Sequence, residues 1–361
     1  MSDTNRTKNT NEIITGYKAF DPDFKCQEHE FEVGKTFEHN GELDPRSKGF
    51  RFCQNDPIAV FDYFDLVDWK EAHLIKLAQV SASKKDTFVD SDDDDKCVTS
   101  KITIDKEITL DKLIKKQIKK AYNPNARGAS IVTAEDRSPL TDKRPLTKII
   151  SNKDHIGLAL THFCSTALAS ADHTRLASSG FGTGLFATGK DVSLSSSGYC
   201  SKIYSNGFAS SISASGAKAQ LRITGTGASV SSSGFNSFLN VTGNGASISA
   251  SGDLSILRIT GTGTSVSMSG NHSKLTVTGN DARMTAAGKR ARITYKGKGG
   301  IISVLGEGAK FKGSKGTLVL AVTYNRHGKP RGGLVGRIGE NGLKPDTLYT
   351  VSDGKFVEVE A

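Results

Sequence analysis

Four residues near the front of the chain carry side chains able to do chemistry: Cys26, His29, His39 and Cys53. A thiol beside an imidazole is a nucleophile, because the ring takes the thiol proton. Two thiols and two imidazoles can also hold zinc. The spacing Cys26-x2-His29-x9-His39-x13-Cys53 matches no standard ligand pattern. The two cysteines are therefore read as small buried residues on strands, with no catalytic residue and no metal ligand assigned. There is no G-x-S-x-G elbow, no P-loop and no HExxH elsewhere. Gly180-Phe181-Gly182-Thr183-Gly184 punctuates a repeat and is not a phosphate loop. No cofactor is expected.

The elements that would position Cys26 and Cys53 lie in a domain of ordinary composition, residues 15–122, after a polar tail expected to be disordered over 1–14. Strands are predicted at Thr15–Phe20, Glu30–Val33, Gly49–Cys53, Ala78–Val80 and Ile102–Ile104. Asp56 should cap a helix running from Pro57 to Phe64. Thr109 should cap a second helix to Tyr122, with Leu110, Leu113, Ile114 and Ile118 inward. Its lysines, Lys112, Lys115, Lys116, Lys119 and Lys120, read as a solvated face. This is a small α+β domain. Residues 123–152 read as a linker or an irregular first coil.

From there the chain is a repeat. Fifteen glycines stand nine residues apart, from Gly180 to Gly306. Counting each glycine as position 1, positions 4, 6 and 8 are small or apolar and 5 and 7 polar, the period of a half-buried strand. Each nonamer is one short strand and a glycine turn. Two nonamers make a flattened 18-residue coil with a strand on each side, and stacked coils make a two-sided parallel β-solenoid over 153–314. Alternate nonamers differ. One set is serine at both outward positions: Ser193/Ser195, Ser211/Ser213, Ser229/Ser231, Ser247/Ser249 and Ser265/Ser267. The other set carries cations and rings: Lys202, Tyr204, Arg222, Phe238, Arg258, Lys274 and Arg292, extended by Arg290, Lys296 and Lys298. The positions that carry aspartate in calcium-binding nonapeptide repeats are here Ala, Ser or Thr, so no calcium stack follows. Residues 315–361 read as a β cap, with strands at Leu318–Tyr324, Gly333–Ile338, Thr347–Val351 and Phe356–Val359. The chain as a whole is mainly β.

The net charge is +10, and its excess sits in the repeat: residues 154–313 hold 15 Lys and Arg against 6 Asp and Glu. That balance suits anionic partners, and so few carboxylates argue against paired acid–base chemistry. Five scattered cysteines form no disulfide framework and suit a reducing compartment. There is no 20-residue apolar run and no leader-like start, so no membrane association is expected.

The segments Gly16-Tyr17-Lys18-Ala19-Phe20, Phe31-Glu32-Val33-Gly34-Lys35 and Gly49-Phe50-Arg51-Phe52-Cys53, with Cys26 and the stretch from Ile58 to Tyr63, resemble a family of uncharacterised tailed-phage and prophage proteins. In that family the domain precedes Gly/Ser/Ala-rich repeats. Gly342-Leu343-Lys344-Pro345-Asp346-Thr347-Leu348-Tyr349 resembles the ending of some members. The resemblance implies a phage or prophage origin and a product in the bacterial cytoplasm. It carries over no activity.

Three functions fit. The first is a non-enzymatic binding protein presenting a rigid surface to a host or phage protein, with homo-oligomerisation through the serine face as a further use. The second is nucleic-acid binding through the basic face, with Tyr204 and Phe238 stacking on bases. The third is a small enzyme in the front domain using Cys26, His29 and Cys53.

Overall fold

The computed structural model describes residues 12–27, 29–43, 48–54, 56–68, 70–89, 96–121, 131–133, 139–142, 148–152 and 154–360. The expected tail (1–14) lies almost wholly outside them. The chain divides into two units: Met1–Asp65 with Leu74–Asn123, and Leu66–His73 with Pro124–Ala361.

The first unit is a seven-stranded antiparallel sheet. Its strands run in the order Thr36–Glu38, Lys101–Glu107, Lys76–Ser83, Ile13–Phe20, Phe50–Cys53, Lys96–Thr99 and Thr87–Val89. Alternation along Ile13–Phe20 and Lys76–Ser83 sends Ile14, Phe20, Val80 and Ala82 into a core with Phe31, Phe50, Phe52, Ile102 and Ile104. Helix Leu110–Ala121 buries Leu110, Leu113, Ile114 and Ile118 and leaves Lys112, Lys115, Lys116 and Lys119 exposed. The helix expected from Pro57 is only Val60–Tyr63. The Asp56 carboxylate accepts the Ile58 N–H, which holds residues 57–59 in turns instead. The predicted Glu30–Val33 strand is reduced to His29–Glu30, half of a hairpin with Lys25–Cys26.

The second unit is a parallel β-solenoid. Between Pro139 and Lys310 strands pair in register with the strand 18 residues on, as in Ser211↔Ser229, Ser229↔Ser247 and Lys202↔Gln220. The ladders begin earlier than the glycine frame. Ile131–Thr133, Pro139–Asp142 and Lys148–Ser151 already pair in parallel, Ile131 with Lys148 one residue short of the 18-residue step. Inward side chains at positions 4, 6 and 8 form one continuous core from Ile149 to Tyr349. At the far end the pairing becomes antiparallel. Lys310–Lys312 pairs with Tyr349–Ser352, and Leu318–Tyr324 with Pro330–Arg337. Tyr349 and Phe356 pack on Phe311 at 5.8 and 5.5 Å between ring centres, closing the last coil.

The turn chemistry differs from the reading of one glycine per turn. Only two of the fifteen glycines, Gly261 and Gly279, have positive φ. The left-handed residue is position 3, two places on, and it is occupied by His155, Cys200, Lys218, Leu254 or Arg290 as readily as by glycine. This conformation aims the position-3 N–H at the next coil: Lys218 N–H donates to the Phe235 carbonyl and Leu254 N–H to that of Asn271. At position 1 glycine is required for space. A Cβ on Gly198 would lie 1.9 Å from the carbonyl oxygen of Gly180, one coil back. Leu254, with φ of 57° and an exposed side chain, carries the left-handed strain without compensating burial. Leu254→Gly is expected to raise stability by about 1 kcal/mol in urea unfolding. A loss of stability would mean that the leucine makes contacts that outweigh the strain.

Candidate functional site

Three surfaces of the molecule have built geometry. The first is the serine sheet. Strict parallel register stacks its serines in columns at about 4.8 Å per coil. Ser195, Ser211, Ser213, Ser229, Ser231, Ser247, Ser249, Ser265 and Ser267 are exposed, and Ser193 is half-buried. A third exposed column, Ser197, Ser215, Ser233, Ser251 and Ser269, runs beside them.

That third column borders a stripe of rings. Position 2 at steps of 18 residues is Phe163, Phe181 and Tyr199, then Ala217, then Phe235. These rings are between 41% and 56% exposed, in contrast to the buried aromatics of the core. Phe181 and Tyr199 stack at 5.5 Å with planes 9° apart. Lys218 fills the interrupted coil by laying its ammonium 5.6 Å from the Tyr199 ring centre. Its hydrogen bond to the Tyr199 hydroxyl raises the lysine pKa above the usual 10.5. Sequence reasoning missed this stripe, because it followed strand positions and not corners. The signal was there: an aromatic at position 2 every 18 residues.

The second surface is the sheet expected to be an open basic face. Lys202, Tyr204, Arg222, Phe238, Arg258, Lys274 and Arg292 do share it. However, Tyr204 and Phe238 are buried, so neither can stack on a base. The middle of the face also binds the chain's own segment Leu66–His73. Leu66 N–H donates to Gln220 Oε1 at 2.8 Å, and Asn240 Nδ2 donates to the Ala72 carbonyl at 2.7 Å. Arg258 Nε donates to the Glu71 carbonyl at 3.1 Å, and Lys274 Nζ pairs with the Glu71 carboxylate at 2.8 Å. Arg290 and Lys298 are exposed but stand on opposite corners of the coil, before and after strand Arg292–Lys296. The predicted cations therefore do not form one patch.

The third is a cavity of about 340 Å³ within the first unit. It brings together Cys26, His29, His39 and Cys53, the four residues singled out by chemistry, and adds Lys18 and Arg51. Strand Ile13–Phe20 pairs with Phe50–Cys53 at only one position, Tyr17↔Cys53. Lys18 sits beyond that point and is 8% exposed. Its ammonium donates to the Arg51 carbonyl at 3.0 Å and lies 3.5 Å from Cys26 Sγ. The rings of Phe20 and Phe31 lie 5.5 and 5.7 Å away. Burial pushes the Lys18 pKa down from 10.5, with the nearby Cys26 thiol opposing that shift. Among the described residues no group of three or more His, Cys, Asp and Glu is placed to hold a metal ion. No helix among them is long and apolar enough to cross a membrane.

Comparison with known proteins bears on this unit alone. Residues 14–116 match a family model described as a domain of unknown function, DUF7666. The match includes Lys18, Cys26, Arg51 and Cys53 and stops short of the solenoid. No curated protein and no solved structure matches the chain.

Proposed function

We propose that this is a non-enzymatic binding protein whose solenoid holds a protein partner against the serine columns and the aromatic stripe beside them. The observation that carries the reading is the stripe: Phe163, Phe181, Tyr199 and Phe235 left half in water along one corner of the solenoid. Clustered exposed rings of this kind mark interaction sites. The five-coil serine grid measures about 24 by 14 Å, roughly 340 Å², from strand spacing and rise. A standard interface needs about 800 Å² per partner, so the grid alone is too small and the stripe has to contribute. Ladder pairing holds both surfaces rigid before binding, which removes the ordering cost that flexible surfaces meet on association. The front domain's resemblance to tailed-phage proteins makes a bacterial host protein the partner to look for.

The test is a pulldown from bacterial lysate with tagged full-length protein, half treated with nuclease, and washed at two salt concentrations. A stoichiometric protein that survives nuclease and the higher salt is the expected result. Recovery of nucleic acid alone, lost at the higher salt as counterion release requires, would overturn the reading in favour of the remaining surface cations. An empty bait under gentle washing would also count against it.

A further inference from the structure

The described lining of the cavity in the first unit is rich in cations. Lys18, Lys48 and Arg51 line it, and among its described lining residues there is no carboxylate. Lys18 is buried, and a buried ammonium without a counter-charge is costly. Two further polar atoms buried at this site, Arg51 Nε and His39 Nε2, have no hydrogen-bond partner among the described residues. Orphaned buried donors call for a missing acceptor. Six aromatic residues, Tyr17, Phe31, Phe50, Phe52, Tyr63 and Phe64, also line it, with Phe31 meeting Phe50 edge to face at 5.7 Å. The volume is at the small end of ligand sites, suited to a compact molecule and too small for a peptide.

We propose that this cavity binds a small planar molecule carrying a phosphate or carboxylate, with the anion seated between Lys18 and Arg51 and the ring against Phe31 and Phe50. The anion supplies a counter-charge to Lys18 and an acceptor for Arg51 Nε. The aromatic walls explain why the body is flat and apolar. The site is independent of the solenoid's partner, because it lies wholly within the first unit.

The experiment uses formaldehyde, which carries no anion of its own and is small enough to enter the cavity, as a reporter on full-length protein. It condenses with an unprotonated lysine amine, losing water to give an imine, and borohydride delivers hydride to the imine carbon to fix it. Peptide mapping then locates the label. A buried amine with a depressed pKa is unprotonated at pH 8 more often than exposed lysines are. The expected result is that one equivalent of reagent labels Lys18 ahead of the exposed lysines. Phenyl phosphate or benzoate in excess should lower that labelling about tenfold, as occupancy at roughly ten times Kd requires. Inorganic phosphate should protect less. Label scattered over surface lysines with Lys18 unmodified overturns the proposal, as does Lys18 labelling that neither competitor reduces. Equal protection by inorganic phosphate overturns the planar part. No variant is needed, so a folding defect cannot obscure the answer. Protection by phenyl phosphate over benzoate, or the reverse, distinguishes phosphate from carboxylate as the natural anion.

Discussion

Gly252→Ala is expected to cost the solenoid about 3 kcal/mol or more, the upper range for forced overpacking. The added Cβ would lie 2.0 Å from the carbonyl oxygen of Gly234 and 2.5 Å from its carbon, one coil back. Neither atom can swing away, because both belong to backbone held by the ladder. Relieving the overlap means opening the coil spacing locally, and Ser251 N–H then pulls away from the Ser232 carbonyl it meets at 2.9 Å. Gly252 does not have positive φ, so the loss is steric and not conformational. Gly245→Asn is the control. Its φ is +63° and a Cβ there meets nothing within 4 Å, so asparagine, which tolerates the left-handed region, should cost under about 1 kcal/mol. Urea unfolding of the two variants separates the explanations. Equal losses would mean that the repeating glycine serves the turn. Coils contact only their neighbours, so hydrogen exchange in Gly252→Ala should rise first in the strands flanking that corner.

That contrast also shows what the sequence made legible. The two-sided coil could be read because period-two alternation and a fixed glycine act on every nonamer, so the signal repeats many times. The location of the left-handed turn could not, because its N–H bonds to the next coil whatever the side chain. Its compositional mark is diffuse: Gly, Asn, Asp and His are common there, but Cys200, Ala209, Lys218, Leu254 and Arg290 hold a left-handed φ too. The strap Leu66–His73 was equally hidden. It is held largely through the backbone of Leu66, Glu71 and Ala72, which any residue could supply. Its receptors, Gln220, Asn240, Arg258 and Lys274, were visible as large polar groups on one face and were read as a surface for something else. In the front domain Cys26, His29 and Cys53 attracted attention by type, and the cavity does gather them. Lys18 did not stand out, since a lysine on a strand ordinarily points to water. Its burial follows from the splay between Ile13–Phe20 and Phe50–Cys53, a tertiary feature with no local signature.

Replacing two rings of the stripe, Phe181→Ser with Tyr199→Ser, is expected to weaken retention of the partner recovered from lysate roughly thirtyfold, about 2 kcal/mol or more. The two rings stack on one another and are half-exposed, so removing both loses their mutual contact, about 0.5–1.5 kcal/mol, and leaves the core intact. The double variant should therefore keep its circular dichroism spectrum and unfold only slightly earlier. Ser231→Ala with Ser249→Ala is the matching change on the grid. These hydroxyls are exposed and water-satisfied in the free protein, so their loss should alter retention by under about 0.5 kcal/mol. Binding energy at an interface concentrates in aromatic anchors, with polar surroundings serving mainly to exclude water. The opposite pattern, serines critical and rings dispensable, would place recognition in the hydroxyl grid. Raising salt sharpens the distinction further. An aromatic anchor is uncharged and its contacts survive salt, while Lys218, fixed over Tyr199, contributes a single screened charge. Retention by wild type should thus fall only modestly with salt, and the gap between wild type and the ring variant should persist.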